Sequence, residues 1–187
     1  MSNIFENKSI LVGVTGSIAV YKSCDLVSRL VDRGAKPKVV MTESARRFVA
    51  PISFEALTGE PVVTTLWERT QGHRSAVHIS LAQSVDCAVI APATANMIAK
   101  IRMGMADEIL SSIMCAFDKP VIIAPAMNNR MLENPGVSEN MGVLKQRGFN
   151  FVPTGEGKLV CGTRAKGRMA DVCDIIDFIE RVLVENA

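Results

Sequence analysis

The run Val121-Ile-Ile-Ala-Pro-Ala-Met-Asn128 carries an apolar segment into a proline and sets one carboxamide at its carboxyl end. A neutral amide there can orient an anionic ligand, and asparagine is equally a common residue of strand-end turns. Two other segments end in the same way. Val89-Ile90-Ala91 runs into Pro92-Ala-Thr-Ala-Asn96, and Val12-Gly13-Val14 runs into Thr15-Gly16-Ser17. Three apolar runs that stop in small polar residues predict one ligand-binding rim, because open parallel sheets bind beyond the carboxyl ends of their strands. Two further side chains can move protons. His78 has a reference pKa of about 6.5 and suits a general base, although a lone histidine is also commonly bonded to backbone. Cys161 lies among Lys158, Arg164, Lys166 and Arg168. Those cations favour a thiolate or face a substrate phosphate; the plain alternative is a free surface thiol.

The first turn, Gly13-Val-Thr-Gly16-Ser17-Ile18, stands between a predicted strand and a predicted helix. Backbone N–H groups at such a helix start can hold a phosphate, with Ser17 capping the helix and donating to a phosphate oxygen. The other reading of Gly16 is a residue that merely permits a tight turn. Thr15 occupies the second glycine position of a dinucleotide fingerprint, and no glycine precedes Lys22 as a Walker loop requires. A dinucleotide or nucleoside triphosphate is disfavoured, and a mononucleotide such as FMN stays open.

The elements that must position these residues follow from periodicity. Residues 9–14, 38–41, 87–91, 121–124 and 149–152 read as short buried strands. Val20, Cys24, Val27, Leu30 and Val31 share one helical face that stops at Gly34. Further helices are expected from Thr42, over 54–57, over 95–116 with a break near Gly104, over 136–147 and over 171–184. Residues 61–66 read as strand or extended chain, 67–76 as a polar loop, and 78–81 are ambiguous. Residues 153–168 show no apolar period and read as a mobile flap. Continuous apolar strands alternating with helices predict an α/β fold: a Rossmann-like or flavodoxin-like open parallel sheet with helices on both faces. One domain over 1–187, with the flap at its carboxyl-terminal side, accounts for the length.

Composition narrows the function. A net charge of +2 with no basic, aromatic-interleaved stripe argues against nucleic acid. No run of about 18 apolar residues argues for a membrane span. Five cysteines without a Cys-x-x-Cys pair, and two histidines, do not form a zinc site, so no metal is expected. Cys24, Cys87, Cys115 and Cys173, like Met97, Met103, Met105, Met114 and Met141, are expected in the core, with reduced thiols in a cytoplasmic protein. An apolar content of 48% suggests surface covered by sister subunits.

Six short motifs then occur in order: Gly16-Ser-Ile-Ala-Val-Tyr-Lys22, His78-Ile-Ser-Leu81, Pro92-Ala-Thr-Ala-Asn96, Gly104-Met-Ala-Asp107, Pro125-Ala-Met-Asn128 and Gly157-Lys-Leu-Val-Cys-Gly162. Together they resemble the homo-oligomeric flavin-containing cysteine decarboxylases, in particular those that convert 4′-phosphopantothenoylcysteine to 4′-phosphopantetheine in coenzyme A biosynthesis. The resemblance implies FMN at the strand ends, held by Gly16, Ser17, Ile18, Thr42, Thr94, Ala95 and Asn96. It implies His78 acting on the substrate, Asn128 holding its carboxylate, and Cys161 on a closing flap as proton donor. Lys158 and Arg168 are expected to help bind the substrate. It also implies trimers or dodecamers of trimers with the site between subunits. The flap departs from the family at Thr163, Ala165 and Lys166, where Ala165 stands at a usually flexible position. Many bacterial relatives continue into a synthetase domain; here the synthetase step is expected on a separate chain.

The chemistry implied is oxidation to a thioaldehyde, loss of CO2 into the C=S group, and re-reduction of the enethiolate, with flavin carrying the redox work. Three alternatives stay open: a peptidyl-cysteine decarboxylase, a flavin prenyltransferase, and a flavin-binding regulatory subunit. The prenyltransferases carry Gly-Ala-Ser-Gly at the first turn and lack Pro-x-Met-Asn, which ranks them lower.

Overall fold

A computed structural model describes residues 3–67, 76–158 and 164–186. Five runs rich in β-branched and small apolar residues form one parallel sheet: β1 (Ser9–Val14), β2 (Lys36–Met41), β3 (Cys87–Ala93), β4 (Val121–Pro125) and β5 (Asn150–Phe151), in the order β2-β1-β3-β4-β5. Every residue of β3 and β4 is buried, as strands covered on both faces require. Alternation splits each strand between two cores. Ile10, Val12, Val14, Val89 and Ile122 point to one, and Leu11, Val40, Ile90 and Ile123 to the other. The first core is closed by α1 (Val20–Asp32), α3 (Ile52–Thr58) and α9 (Val172–Glu185), and the second by α4 (Val77–Ser84), α5 (Ala95–Met103), α6 (Ile109–Cys115) and α8 (Pro135–Gln146). Short helices α2 (Glu43–Arg46) and α7 (Asn129–Leu132) follow the ends of β2 and β4.

This is the flavodoxin-like α/β arrangement expected from the sequence, with several corrections. Residues 61–66 take the extended alternative rather than the strand: Val63 alone bridges Val40, after which the chain turns over the strand ends. The ambiguous stretch 78–81 is helical, because α4 buries only Val77 and Ala82 against its neighbours and so shows little apolar period. The stretch 153–168 is not simply a loop. β6 (Gly155–Lys158) and β7 (Arg164–Arg168) pair antiparallel, and backbone pairing of this kind needs no apolar side-chain pattern. Ser17 does not cap α1, which begins at Val20 after Ala19; the Ser17 hydroxyl accepts instead from the Ala19 N–H at 3.3 Å.

Helix α5 stops, as expected, at Gly104 with φ 68°. Cys115, Cys173, Met103 and Met105 are exposed rather than core. Cys87 is buried, and burial pushes its thiol up to about 12. Among the described residues no helix is long and apolar enough to cross a membrane.

Candidate functional site

The connections leaving β1 and β3 depart to opposite sides of the sheet, which opens a crevice between their carboxyl ends. Thr15 forms its floor. It is 1% exposed; its hydroxyl donates to the Pro92 carbonyl at 2.6 Å and accepts from the Thr94 N–H at 3.1 Å. One side chain therefore laces the two diverging strand ends together. Above it lies a cleft of about 610 Å³, within the size range of small-molecule sites.

Gly16, Thr42, Thr94, Ala95 and Asn96, five of the residues assigned to the cofactor from sequence, line that cleft together. Thr42 and Thr94 each cap the helix that follows: Thr42 Oγ1 accepts from the Ala45 N–H at 3.2 Å, and Thr94 Oγ1 from the Met97 N–H at 3.3 Å. A capping hydroxyl keeps its own proton, so both can still donate into the cleft. Gly16 earns its place through space rather than backbone conformation. A Cβ there would lie 2.5 Å from Ser44 Cβ and 3.1 Å from the Ser44 carbonyl carbon. The turns after β1 and β2 thus touch, and the tight-turn reading of Gly16 gives way to close approach. Ser17 and Ile18 are not on the lining, and Ile18 is exposed.

Several lining residues escaped the sequence reading. Thr64, Thr65, Leu66 and Trp67 form one wall where the chain passes over the strand ends. Lys100, with a side chain 15% exposed, reaches Asp107 at 2.8 Å and Glu108 at 3.0 Å. Burial acts to lower the Lys100 pKa, but its hydrogen bonds to the two carboxylates outweigh this and raise it. The Lys100 hydrogen bond holds Asp107 below the usual carboxylate range. The cleft thus combines neutral hydroxyl donors, an apolar wall and a locally compensated charge cluster, which suits an aromatic ring system bearing polar groups.

His78 and Asn128, two of the expected catalytic residues, lie off this lining. His78 is the second residue of α4, half-buried, and its Nδ1 is buried with no hydrogen-bond partner among the described residues. Buried polar atoms are as a rule hydrogen-bonded, so this nitrogen stands out among the described residues. Asn128 ends the β4 connection and caps α7, accepting from the Arg130 N–H at 2.8 Å, and Met131 of that helix lines the cleft. The strand-end turn role is thus met by the side-chain oxygen, which is committed to the cap. Arg168 is exposed, 3.8 Å from Asp171, and borders a separate cleft of about 270 Å³ with Pro153 and Asp174. Lys158 ends β6. Cys161 and Thr163 lie outside the described residues.

The stem of the β6–β7 hairpin abuts the Asn128 connection directly. The Met127 N–H donates to the Gly167 carbonyl at 3.0 Å. From the other side Lys22, 7% exposed, donates to the carbonyls of Met169 at 3.1 Å and Ala170 at 3.2 Å and to Asp171 at 2.7 Å. Lys22 closes the motif Gly16-Ser-Ile-Ala-Val-Tyr-Lys22, but its residue type and spacing assign it no role. A lysine on a helix face otherwise reads as solvated, and only the fold brings three acceptors to it.

A family model described as Flavoprotein matches residues 2–184. The coenzyme A biosynthesis bifunctional protein CoaBC of Bacillus subtilis (strain 168) is 43% identical over 183 residues, covering 98% of this chain and 45% of its own length. The chain thus spans less than half of that curated relative. Among solved structures, a PPC decarboxylase mutant complexed with pantothenoylaminoethenethiol superposes with TM-score 0.83 at 28% identity, covering 97% of this chain and 100% of that one. The FMN-dependent cysteine decarboxylase SpaF superposes with TM-score 0.82 at 32% identity, covering 97% and 98%.

Proposed function

The chain belongs to the Flavoprotein family, and from that premise we propose that it is an FMN-dependent phosphopantothenoylcysteine decarboxylase. It removes CO2 from 4′-phosphopantothenoylcysteine to leave 4′-phosphopantetheine, a step of coenzyme A biosynthesis. The observation that carries this reading is the convergence of Gly16, Thr42, Thr94, Ala95 and Asn96 on one cleft at the β1/β3 divergence. Identity of 43% to a coenzyme A biosynthesis protein favours the small-molecule substrate.

The residues fit FMN. Thr42 and Thr94 donate hydroxyl protons, the missing Cβ of Gly16 lets the two turns close, and Thr15 keeps the strand ends at a set spacing. Bound FMN supplies a two-electron acceptor and donor for the carbon bearing sulfur. The rest falls to the protein. The substrate loses a hydride from that carbon and a proton from sulfur, giving a thioaldehyde. His78 takes the thiol proton; its Nδ1, without a hydrogen-bond partner among the described residues, is the atom assigned to it. Asn128 donates to the carboxylate and orients the breaking C–C bond without the charge stabilisation an arginine would give the ground state. CO2 departs and its bonding electrons enter C=S. Cys161 would protonate the carbon that lost CO2 and recover its own proton from water; hydride return would leave a thiolate, to which His78 would give back the proton it took. Lys158 and Arg168 receive the substrate phosphate once the hairpin lies against it.

Trimers, or dodecamers of trimers, complete the site. Tyr21 on α1 and Ile52 on α3, 60% and 65% exposed on two helices packed together, support an apolar contact between copies. Free thiols at Cys24, Cys87, Cys115 and Cys173 suit the cytoplasm. A second reading keeps the chemistry and changes the substrate to a peptide ending in cysteine, since the likeness to SpaF, described as an FMN-dependent cysteine decarboxylase, reaches 32% identity over 97% of this chain. The test is an absorption spectrum of the purified protein, followed by CO2 release from phosphopantothenoylcysteine and from a peptide with a carboxyl-terminal cysteine. Flavin absorbance and turnover of the first substrate are expected. A colourless protein that FMN does not reconstitute refutes the cofactor, and exclusive turnover of the peptide replaces the substrate.

A further inference from the structure

The hairpin stem carries a glycine whose backbone no other residue can adopt without displacement. Gly167 has φ 117°, in the left-handed half of conformational space, and a Cβ there would lie 2.4 Å from the Met127 carbonyl oxygen and 3.4 Å from both the Asn128 carbonyl carbon and the Asn129 nitrogen. The same two stretches are tied by the hydrogen bond from the Met127 N–H to the Gly167 carbonyl at 3.0 Å. Backbone packs on backbone here, with no flexible side chain between to absorb a shift. Asn128 sits in the middle of the contacted segment, and its side chain is turned by capping α7. Two residues beyond Gly167 the chain is gripped by the buried ammonium of Lys22, which reaches Met169, Ala170 and Asp171.

From this geometry we infer that Gly167 is a positioning residue for Asn128, acting through the backbone of 127–129, and that Lys22 fixes the strand that carries it. The inference rests on the reading of Asn128 as the carboxylate donor. Its content goes further: the alignment of the scissile bond is set by the stem of the β6–β7 hairpin, so the hairpin is a part of the carboxylate subsite and not only a carrier of Cys161. Substrate binding remote from the carboxylate is left intact by a change at Gly167, and so is FMN.

The experiment uses FMN-loaded protein and phosphopantothenoylcysteine. Gly167→Ala is expected to lower kcat by about 10–100-fold, the scale of a misplacement near 1 Å, with KM and the flavin spectrum close to wild type. Asn128→Ala is measured alone and combined with Gly167→Ala. If Gly167 acts through Asn128, the double variant is no slower than Asn128→Ala; a merely structural role multiplies the two losses. Where Gly167→Ala fails to fold, Lys22→Gln, which adds no bulk, is read in the same cycle and decides. Losses that multiply, or a Gly167→Ala enzyme within twofold of wild-type kcat, overturn the inference while Asn128→Ala remains slow. Full turnover by Asn128→Ala overturns the carboxylate role and the inference with it.

Discussion

Gly16→Ala tests whether the cleft depends on the contact between the turns after β1 and β2. The new methyl would sit 2.5 Å from Ser44 Cβ, with the Ser44 carbonyl carbon at 3.1 Å and its oxygen at 3.2 Å. Carbon atoms in contact prefer about 3.5–4.0 Å, so Ser44 must retreat by roughly 1 Å. The retreat cannot stay local. Ser44 lies in α2, whose cap Thr42 is bonded through its N–H to the Val14 carbonyl at 3.0 Å, and Thr42 lines the cleft. Overpacking of this kind costs about 1–3 kcal/mol. If the cost is met on folding, Tm falls by about 2–12 °C for a chain of this size. If it is met only when the cleft must close on a ligand, FMN affinity falls by about 5–150-fold. Thermal unfolding with and without FMN, together with flavin fluorescence titration, separates the two. Gly142→Ala is the control: nothing lies within 4 Å of a Cβ at that position in α8, and alanine there stabilises the helix by about 0.5–1 kcal/mol. A Gly16→Ala protein with wild-type Tm and wild-type FMN affinity refutes the close-approach argument.

Other outcomes follow from the same geometry. Asn128→Asp keeps a side-chain oxygen to cap α7 but replaces the amide donor with a carboxylate; flavin absorbance is retained and turnover falls by at least about tenfold, the value of one lost charged hydrogen bond. Lys100→Met leaves Asp107 and Glu108 facing the cleft without their shared cation, so FMN binding weakens several-fold, more at low salt than at high, and unchanged affinity at low salt would remove Lys100 from the site. The Lys22 hydrogen bond, then its charge, and the charge of Arg168 hold Asp171 below the usual carboxylate range. A depressed carboxylate contributes stability that is complete above its unfolded pKa of about 3.9 and is lost as pH falls through the lower folded value. Acid titration of Tm below pH 4 should be shallower in Asp171→Asn than in wild type; because this carboxylate is largely exposed the difference is small, and an unchanged slope would show that the pair carries no pH dependence.

The sheet was readable because its strands are covered on both faces, and a strand such as Cys87–Ala93 has no choice but to be apolar throughout. The stops at Gly34 and Gly104 were readable because both glycines take left-handed conformations. Helix α4 was not, since it buries two small residues and leaves no moment to detect. The pairing of β6 with β7 was missed because its order lies in backbone hydrogen bonds and in the grip of Lys22 on residues 147–149 positions away in sequence. The site divides in the same way. Motif residues such as Thr94 and Asn96 announce themselves at a strand end. Thr15 was legible as a small polar residue of the rim, but not as the hydroxyl that spans two strands 77 residues apart. Lys100 owes its place to carboxylates beyond the break at Gly104, and a helix-face lysine carries no sign of that in the sequence.

The flanks of the sheet restrict how copies of this molecule can meet. On the β2 side, Val63 occupies the outward backbone groups of Val39 and Met41, and on the other side β5 is only two residues long. Among the described residues, neither margin of the five-stranded sheet presents a long row of unpaired amides to template strand addition. Contacts that copies make around this sheet then fall to the side chains of its covering helices, which can be edited one residue at a time.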